Sequence, residues 1–326
     1  MLKKLTENRG FEKKIALSGL VLLLLILFPH LVRTTFYQHL MIMIFFYITA
    51  SGAWNILGGY AGQISFGHAA FFGIGGYTST LLLMHFQLSP WIGMFIGAFL
   101  SVAFSLAIGY PFFRLMGHYF AIATIALGEI LYTIVCNIEE IGGARGLILP
   151  ILKESFINFE FHKSKVPYYY IAMAFALAML VTTYLIERSR MGFYLKAINR
   201  DPVAASSQGV NIGRYKAYAM AISAFFCAIS GTFYAQYALF IDPESMLSIS
   251  VSIIFCLIPI LGGAGNKWGP VIGTCVFIPL SEFTRIYLGG GGKAIDMMIY
   301  GALIVVISIF KPAGLIGLFK TSPGRK

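Results

Sequence analysis

The sequence predicts an all-α bundle that crosses a lipid bilayer about eight to ten times, and three observations predict it. Of its 326 residues, 58% are hydrophobic and only 11% charged, whereas a soluble domain carries roughly 25% charged residues to cover its surface. The mean hydropathy is +0.80. The apolar residues fall in unbroken runs such as IALSGLVLLLLILF and IYGALIVVISIF. Runs of that kind fit helices of about 20 residues in hydrocarbon, not the short alternating strands of a membrane barrel.

Ten apolar segments follow one another along the chain, at roughly 15–32, 36–57, 62–84, 91–113, 118–138, 167–187, 215–239, 249–263, 269–288 and 294–311. Lys3, Lys4, Arg9, Lys13 and Lys14 precede the first. That run ends in PHLVRTTF, without a small-residue cleavage site, so an uncleaved first span is expected. The eighth segment is short and holds Pro259, which makes it a candidate for a broken or re-entrant span. The whole chain reads as one membrane domain. It has an N-terminal tail 1–14, a long loop 139–166 of mixed charge, a second long loop 188–214 that is basic, and a C-terminal tail 312–326.

Charge sets the expected direction. With ten crossings and both termini in the cytoplasm, the inside holds five basic residues at the N-terminus, Arg114, six in 188–216, Lys267 and four at the C-terminus. Seven lie outside. Such an excess is the positive-inside pattern. It accounts for the net charge of +11 without nucleic acid. Cys136, Cys227, Cys256 and Cys275 lie in apolar runs without metal-ligand or redox spacing and read as buried small side chains.

Three stretches carry functional signals. The first, GGYAGQISFGHAAFFGIGG at 58–76, has seven glycines around Gln63, Ser65 and His68. Irregular backbone inside a membrane survives only where protein or water covers it. The stretch therefore reads either as a helix start beside a polar pathway or as tight helix packing. In the second, Glu129 falls mid-span in ATIALGEILYTI, with Thr124 and Gly128 four apart on a small-residue face. A mid-membrane carboxylate is costly and is expected to face the bundle interior.

The third is the inner loop, ERSRMGFYLKAINRDPVAASSQGVNIGRYK. Asp201 suits an N-cap and Pro202 a first helical position. Gly209 suits a left-handed stop. Two turns of helix over 202–208 are too few to stand alone, so this segment is expected to dock on something. A weaker signal is the echo of ILGG at Ile56–Gly59 in Ile260–Gly263, either a duplicated half or chance. No P-loop, HExxH or GxSxG motif is present. The chain thus offers no catalytic or metal-ligand set and no ATP site of its own.

Four blocks, GGYAGQISFGHAAFFGIGGYTS, HYFAIATIALGEI, SRMGFYLKAINRDPVAASSQGVNIGRYK and ILGGAGNKWGPVIGT, resemble the permease family of branched-chain amino acid ABC importers, specifically its LivM-type subunit. The resemblance covers roughly 40–320, with the blocks in the family's order. It implies a bacterial cytoplasmic-membrane protein paired with a LivH-type second permease. It further implies two ATPase subunits, of LivG and LivF type, that bind ATP and Mg, and an extracytoplasmic binding protein that delivers leucine, isoleucine or valine. Related permeases carry urea or short amides. The resemblance makes 202–208 a coupling segment, with Arg200, Asp201, Pro202, Ala204, Ala205 and Gly209 at its contacts. Ala204, Ala205 and Gly209 match the family's E-A-A-x-x-x-G, Val203 stands where the Glu would be, and AMAI at Ala219–Ile222 replaces the usual I-x-L-P. The resemblance also places Gln63, Ser65, His68, Thr124 and Glu129 in the region of the pathway helices. A self-sufficient carrier would instead need an ion-coupling site, for which His68 with Glu129 is the available pair.

Overall fold

The computed structural model describes residues 19–113, 115, 117–287, 301 and 314–318. The N-terminal tail, most of the C-terminal tail and all of the tenth apolar segment but residue 301 lie outside these. Among the described residues, seven helices are long and apolar enough to cross a membrane. Apolar runs with little charge and few helix breakers dictate that result: in hydrocarbon a helix satisfies every backbone group internally.

The order is α1 (Gly19–Leu31), α2 (Thr35–Asn55, continued by a π turn Ile56–Tyr60), α3 (His68–Phe86), α4 (Pro90–Phe112) and α5 (His118–Asn137). A two-residue strand β1 (Leu147–Ile148) precedes α6 (Val166–Arg188), α7 (Arg190–Arg200), α8 (Pro202–Ser207) and α9 (Ile212–Ala238). Then come β2 (Phe240–Ile241), α10 (Pro243–Leu247), α11 (Ile249–Gly262), α12 (Gly269–Tyr287) and a 3-10 turn at Leu315–Leu318. Nine of the ten segments read from the sequence are therefore helical where described, and α1 and the apolar part of α12 reach less than a full span among the described residues.

The centre is α3 laid against α4 and α9, with α2 behind them against α6, α9, α11 and α12. Small residues make this possible. A Cβ on Gly231 of α9 would sit 1.9 Å from the Phe72 carbonyl oxygen of α3, and one on Gly75 would sit 2.1 Å from that of Ala228. The two backbones touch, and Thr232 Oγ1 donates to the Gly75 carbonyl at 3.0 Å. Such contact supplies dispersion and hydrogen bonds where lipid offers no hydrophobic drive to associate.

Two boundaries differ from the sequence reading. The third helix starts at His68 rather than near 62, because 61–67 is unwound. The eighth segment is helical through Pro259. Its break lies earlier, at the extended residue Ser248, which joins α10 to α11 in one 20-residue span. Pro259 sits too close to the helix end to interrupt more than the last turns. Of the cysteines, Cys227 and Cys256 are buried, but Cys275 is exposed on the outer surface of the bundle.

One end of the bundle is closed by the chain itself. β1 pairs antiparallel with β2, Leu147 opposite Ile241. Trp91 stacks on Phe159 at 4.5 Å and on Phe156 at 5.0 Å, and its Nε1 donates to the Phe156 carbonyl at 2.7 Å. Glu160, fully buried, accepts the Leu152 amide at 2.7 Å and pairs with His162 at 3.1 Å. The other end carries α7, α8 and the loops 113–117 and 263–268. There the two ILGG stretches meet: Asn55, just before the first, accepts the Gly265 amide at 2.9 Å and donates to the Asn266 carbonyl at 3.0 Å.

Candidate functional site

The unwound stretch 61–67 is held by side chains from four helices. Trp54 Nε1 of α2 donates to the Ser65 carbonyl at 2.7 Å, and Thr124 Oγ1 of α5 accepts the Phe66 amide at 3.1 Å. Ser252 Oγ of α11 accepts the Ala69 amide at 2.8 Å, one residue into α3. His68 is completely buried. Its Nε2 lies 2.7 Å from Ser223 Oγ of α9, which itself donates to the Ala53 carbonyl at 2.6 Å. Ser223 must then accept from Nε2–H, which assigns Nδ1 as acceptor toward Ser65 Oγ at 3.2 Å. The neutral imidazole is satisfied at both nitrogens. Ser65, His68 and Thr124 thus form one sealed junction, and Gln63 alone of this stretch's polar candidates lines an opening.

Glu129 stands apart from that junction. Only 17% of the α5 window is buried, against 89% for α2. Thr124 and Gly128 face inward, as their small size suits, while Ile122, Ala126, Glu129 and Thr133 share an exposed face. The interior position expected for Glu129 is therefore not provided by the described residues. Helical spacing fixes the result: a residue one position from a buried Gly128 is turned about 100° away. His68 and Glu129 do not form a pair, since the ring nitrogens of His68 are taken by Ser65 and Ser223.

At the open end, Asp201 Oδ1 accepts the Val203 amide at 2.9 Å and the Ala204 amide at 3.0 Å, and Gly209 takes a left-handed φ of +80°. Both features fit their expected roles. Of α8 only Ala205 is buried, and Val203 is 70% exposed. Arg200, Asp201, Ala204 and Gly209 are exposed and Pro202 half-buried. On α7, Leu195 and Ile198 pack inward while Phe193 is 73% exposed.

Residues that sequence reasoning did not single out tie this surface to the bundle. Asn199 Nδ2 donates to the Gly59 carbonyl at 2.9 Å. Glu187 at the end of α6 accepts from Tyr60 Oη at 2.8 Å and lies 3.9 Å from Lys196 and 3.8 Å from Lys267. One carboxylate thereby joins α6, the π turn, α7 and the loop before α12. A lone Glu at the head of the basic loop 188–214 was the available signal. Lys216 was counted only as a loop charge, yet it lies one turn inside α9 and is 4% exposed. A cavity of about 750 Å³ opens here, lined by Gln63, Asn199, Pro202, Asn211 and Lys216 among others.

Apolar helices around a stapled, unwound junction, with a short exposed helix on one end, define the class: a multi-pass membrane transport protein. More particularly, the chain belongs to the branched-chain amino acid transport system permease component family, whose pattern matches residues 36–308. It is 27% identical to the high-affinity branched-chain amino acid transport system permease protein LivM of Salmonella typhimurium, over 84% of this chain and 68% of that one. The LivM protein of Escherichia coli is 26% identical over 83% and 67%. The corresponding LivH protein of Salmonella typhimurium is 25% identical over 79% and 87%. The LivM-type resemblance holds. No solved structure matches the chain.

Proposed function

We propose that this chain is one of the two permease subunits of an ATP-driven importer of leucine, isoleucine and valine in the bacterial cytoplasmic membrane. The end carrying α7 and α8 faces the cytoplasm, with both termini on that side. The observation that carries this reading is α8: a capped helix of six residues with one buried side chain. Alone, so short a helix is unstable, and Val203 and Phe193 beside it present apolar surface to water. A pair of ATPase subunits, of LivG and LivF type, is the partner that would cover it, with Arg200, Asp201, Pro202, Ala204, Ala205 and Gly209 at the contact. Motion of α8 would pass through Asn199 to Gly59 and so to the unwound stretch.

Glu129 supports a second permease. A carboxylate exposed mid-span cannot rest in lipid without a cost of about 2.5–3.5 kcal/mol. Its face of α5 is the surface on which a LivH-type partner would close a shared pathway, with Glu129 on its wall and Gln63 below. Ser65, His68 and Thr124 hold the shape of that wall. A binding protein would deliver substrate at the end capped by 147–165. Reconstitution tests the whole reading: proteoliposomes holding both permeases and both ATPases, supplied with binding protein and ATP, accumulate labelled leucine. Accumulation by this chain without ATPase partners sinks it.

A further inference from the structure

The cavity beside α8 has the wrong electrostatics for empty space. Its walls come from the unwound residues 61–63, Leu106 and Phe113 at the end of α4, the end of α7, and the first turns of α9. No acidic residue lines it. Lys216 is 96% buried there, and its ammonium makes no hydrogen bond or ion pair among the described residues. The residue is enclosed while its ammonium opens on the cavity, so the charge stands beside apolar walls without a partner among the described residues. The N-terminal turn of α9 adds partial positive charge to the same wall. Gln63, 92% buried, leaves its Oε1 without a hydrogen-bond partner. A lone buried acceptor asks for a donor. The rest of the lining, Leu106, Phe113 and Ile198, is apolar. The volume lies within the roughly 300–1,000 Å³ of small-ligand pockets.

We propose that this cavity binds a small aliphatic amino acid from the side of the α8 loop. Resting on the importer reading above, its occupant is the transported product. The carboxylate takes Lys216 and the first turn of α9, the ammonium takes Gln63 Oε1, which is enclosed beside the cavity and turns toward the occupant, and the aliphatic chain lies on Leu106, Phe113 and Ile198. Because Asn199 and Pro202 close one wall, an occupant holds the α7–α8 corner to α9 and to 61–63. Accumulated product then restrains the helix on which the ATPases act.

The test uses the full assembly of two permeases and two ATPases in phosphatidylcholine nanodiscs, without binding protein or ATP, and measures binding of radiolabelled L-leucine. Saturable binding is expected, weakened at least tenfold by Lys216→Met. 4-Methylpentanoate, which lacks the ammonium, should compete, and 3-methylbutylamine, which lacks the carboxylate, should not. Gln63→Leu should weaken leucine binding and leave 4-methylpentanoate binding unchanged, so the idea stays testable if Lys216→Met does not assemble. Leucine binding that is indifferent to both substitutions overturns the proposal. So does equal competition by the amine, or loss of leucine binding when phosphatidylglycerol is added, which would assign the cavity to a lipid headgroup. Failure of assembly in Lys216→Met together with an unchanged Gln63→Leu would assign Lys216 to a partner's carboxylate and overturn it equally. ATP-driven leucine uptake by the same assembly with binding protein reads the importer function separately. Uptake with substitution-indifferent binding removes only this inference, and no uptake removes the function itself.

Discussion

The two ends of this bundle solve the same problem in opposite ways. At the 147–165 end the chain covers itself. Trp91 is sandwiched by Phe156 and Phe159, a buried Glu160 binds Leu152 and His162, and β1 pairs with β2. At the α8 end the described residues stop short of covering one another: Val203 and Phe193 are exposed, Lys216 lacks a counter-charge, and the Gln63 carbonyl is unmet. The closed end also keeps buried polar atoms without a hydrogen-bond partner among the described residues, Glu160 Oε1 and both side-chain atoms of Gln236, so the contrast lies not in hydrogen-bond satisfaction but in the apolar side chains and the unpaired charge that the α8 end leaves open. One end reads as finished architecture and the other as an interface.

The largest effect should follow from breaking the open end. Val203→Asp places a charge at the centre of the exposed α8 surface while leaving Ala205 and the Asp201 cap in place. ATP-driven leucine uptake by the assembled importer should fall by about tenfold or more, the scale of losing a central interface contact. The melting temperature of the chain should move little. Unchanged uptake would mean that α8 is not a docking surface.

The closed end should respond in stability rather than in coupling. Glu160→Ala removes the acceptor of the Leu152 amide and the partner of His162 from a fully buried site. The expected cost is about 2–4 kcal/mol, read as a lower thermal midpoint in detergent, while ATP hydrolysis per folded assembly is retained. Loss of hydrolysis without loss of stability would erase the contrast between the ends.

Much of this contrast was legible in the sequence, and the part that was not has a physical cause. Helix ends at Pro90, His118 and Arg188 and the Asp201–Gly209 helix followed from local chemistry, because caps, prolines and charges act within a few residues of where they stand. The start of α3 did not follow. The backbone of 61–67 is unwound, and it and the first turn of α3 are held by Trp54, Thr124 and Ser252, side chains of other helices, and hydropathy cannot register partners that tertiary packing brings. Glu129 reads as interior in any single chain because its cost in lipid is obvious. Only the outward turn of its face shows that the described residues do not supply the interior it needs. Lys216 counted correctly as a basic residue near a span, yet its burial depends on how α4 and the 61–63 stretch fold over α9.

A smaller effect is expected at the α8 cap. Asp201→Ala leaves the Val203 and Ala204 amides without their acceptor, a loss of about 1 kcal/mol confined to two turns. Faster hydrogen exchange at those two amides, with the global melting point unchanged, is the expected reading. Asp201→Asn, which keeps an oxygen in the same place, should restore protection. If exchange is as slow in Asp201→Ala as in the parent chain, something other than the cap holds α8.

The smallest effect belongs to the closed end and depends on pH. Glu154 Oε1 accepts the Lys163 amide at 2.5 Å and the His162 amide at 2.6 Å, and the Lys163 ammonium lies 3.4 Å from Oε2. The Lys163 amide chiefly, with the His162 amide and the Lys163 charge, holds the carboxyl below its ordinary value near 4.5. A carboxyl lowered on folding contributes stability that is fully present above that ordinary value and is lost as pH falls through the lowered one. Acidification from neutral pH should therefore leave the 154–163 turn intact until the carboxylate range is passed, then loosen it. Amide exchange at His162 and Lys163, corrected for its intrinsic pH dependence, should lose protection only at the acid end. Glu154→Ala, which removes the acceptor of both amides, should show the loosened turn at every pH. Salt should weaken only the exposed Lys163 ammonium contribution, because the two amide bonds persist as long as the carboxylate is ionised. An acid-end loss of protection at the α8 amides instead would place the titrating group at the wrong end of the molecule.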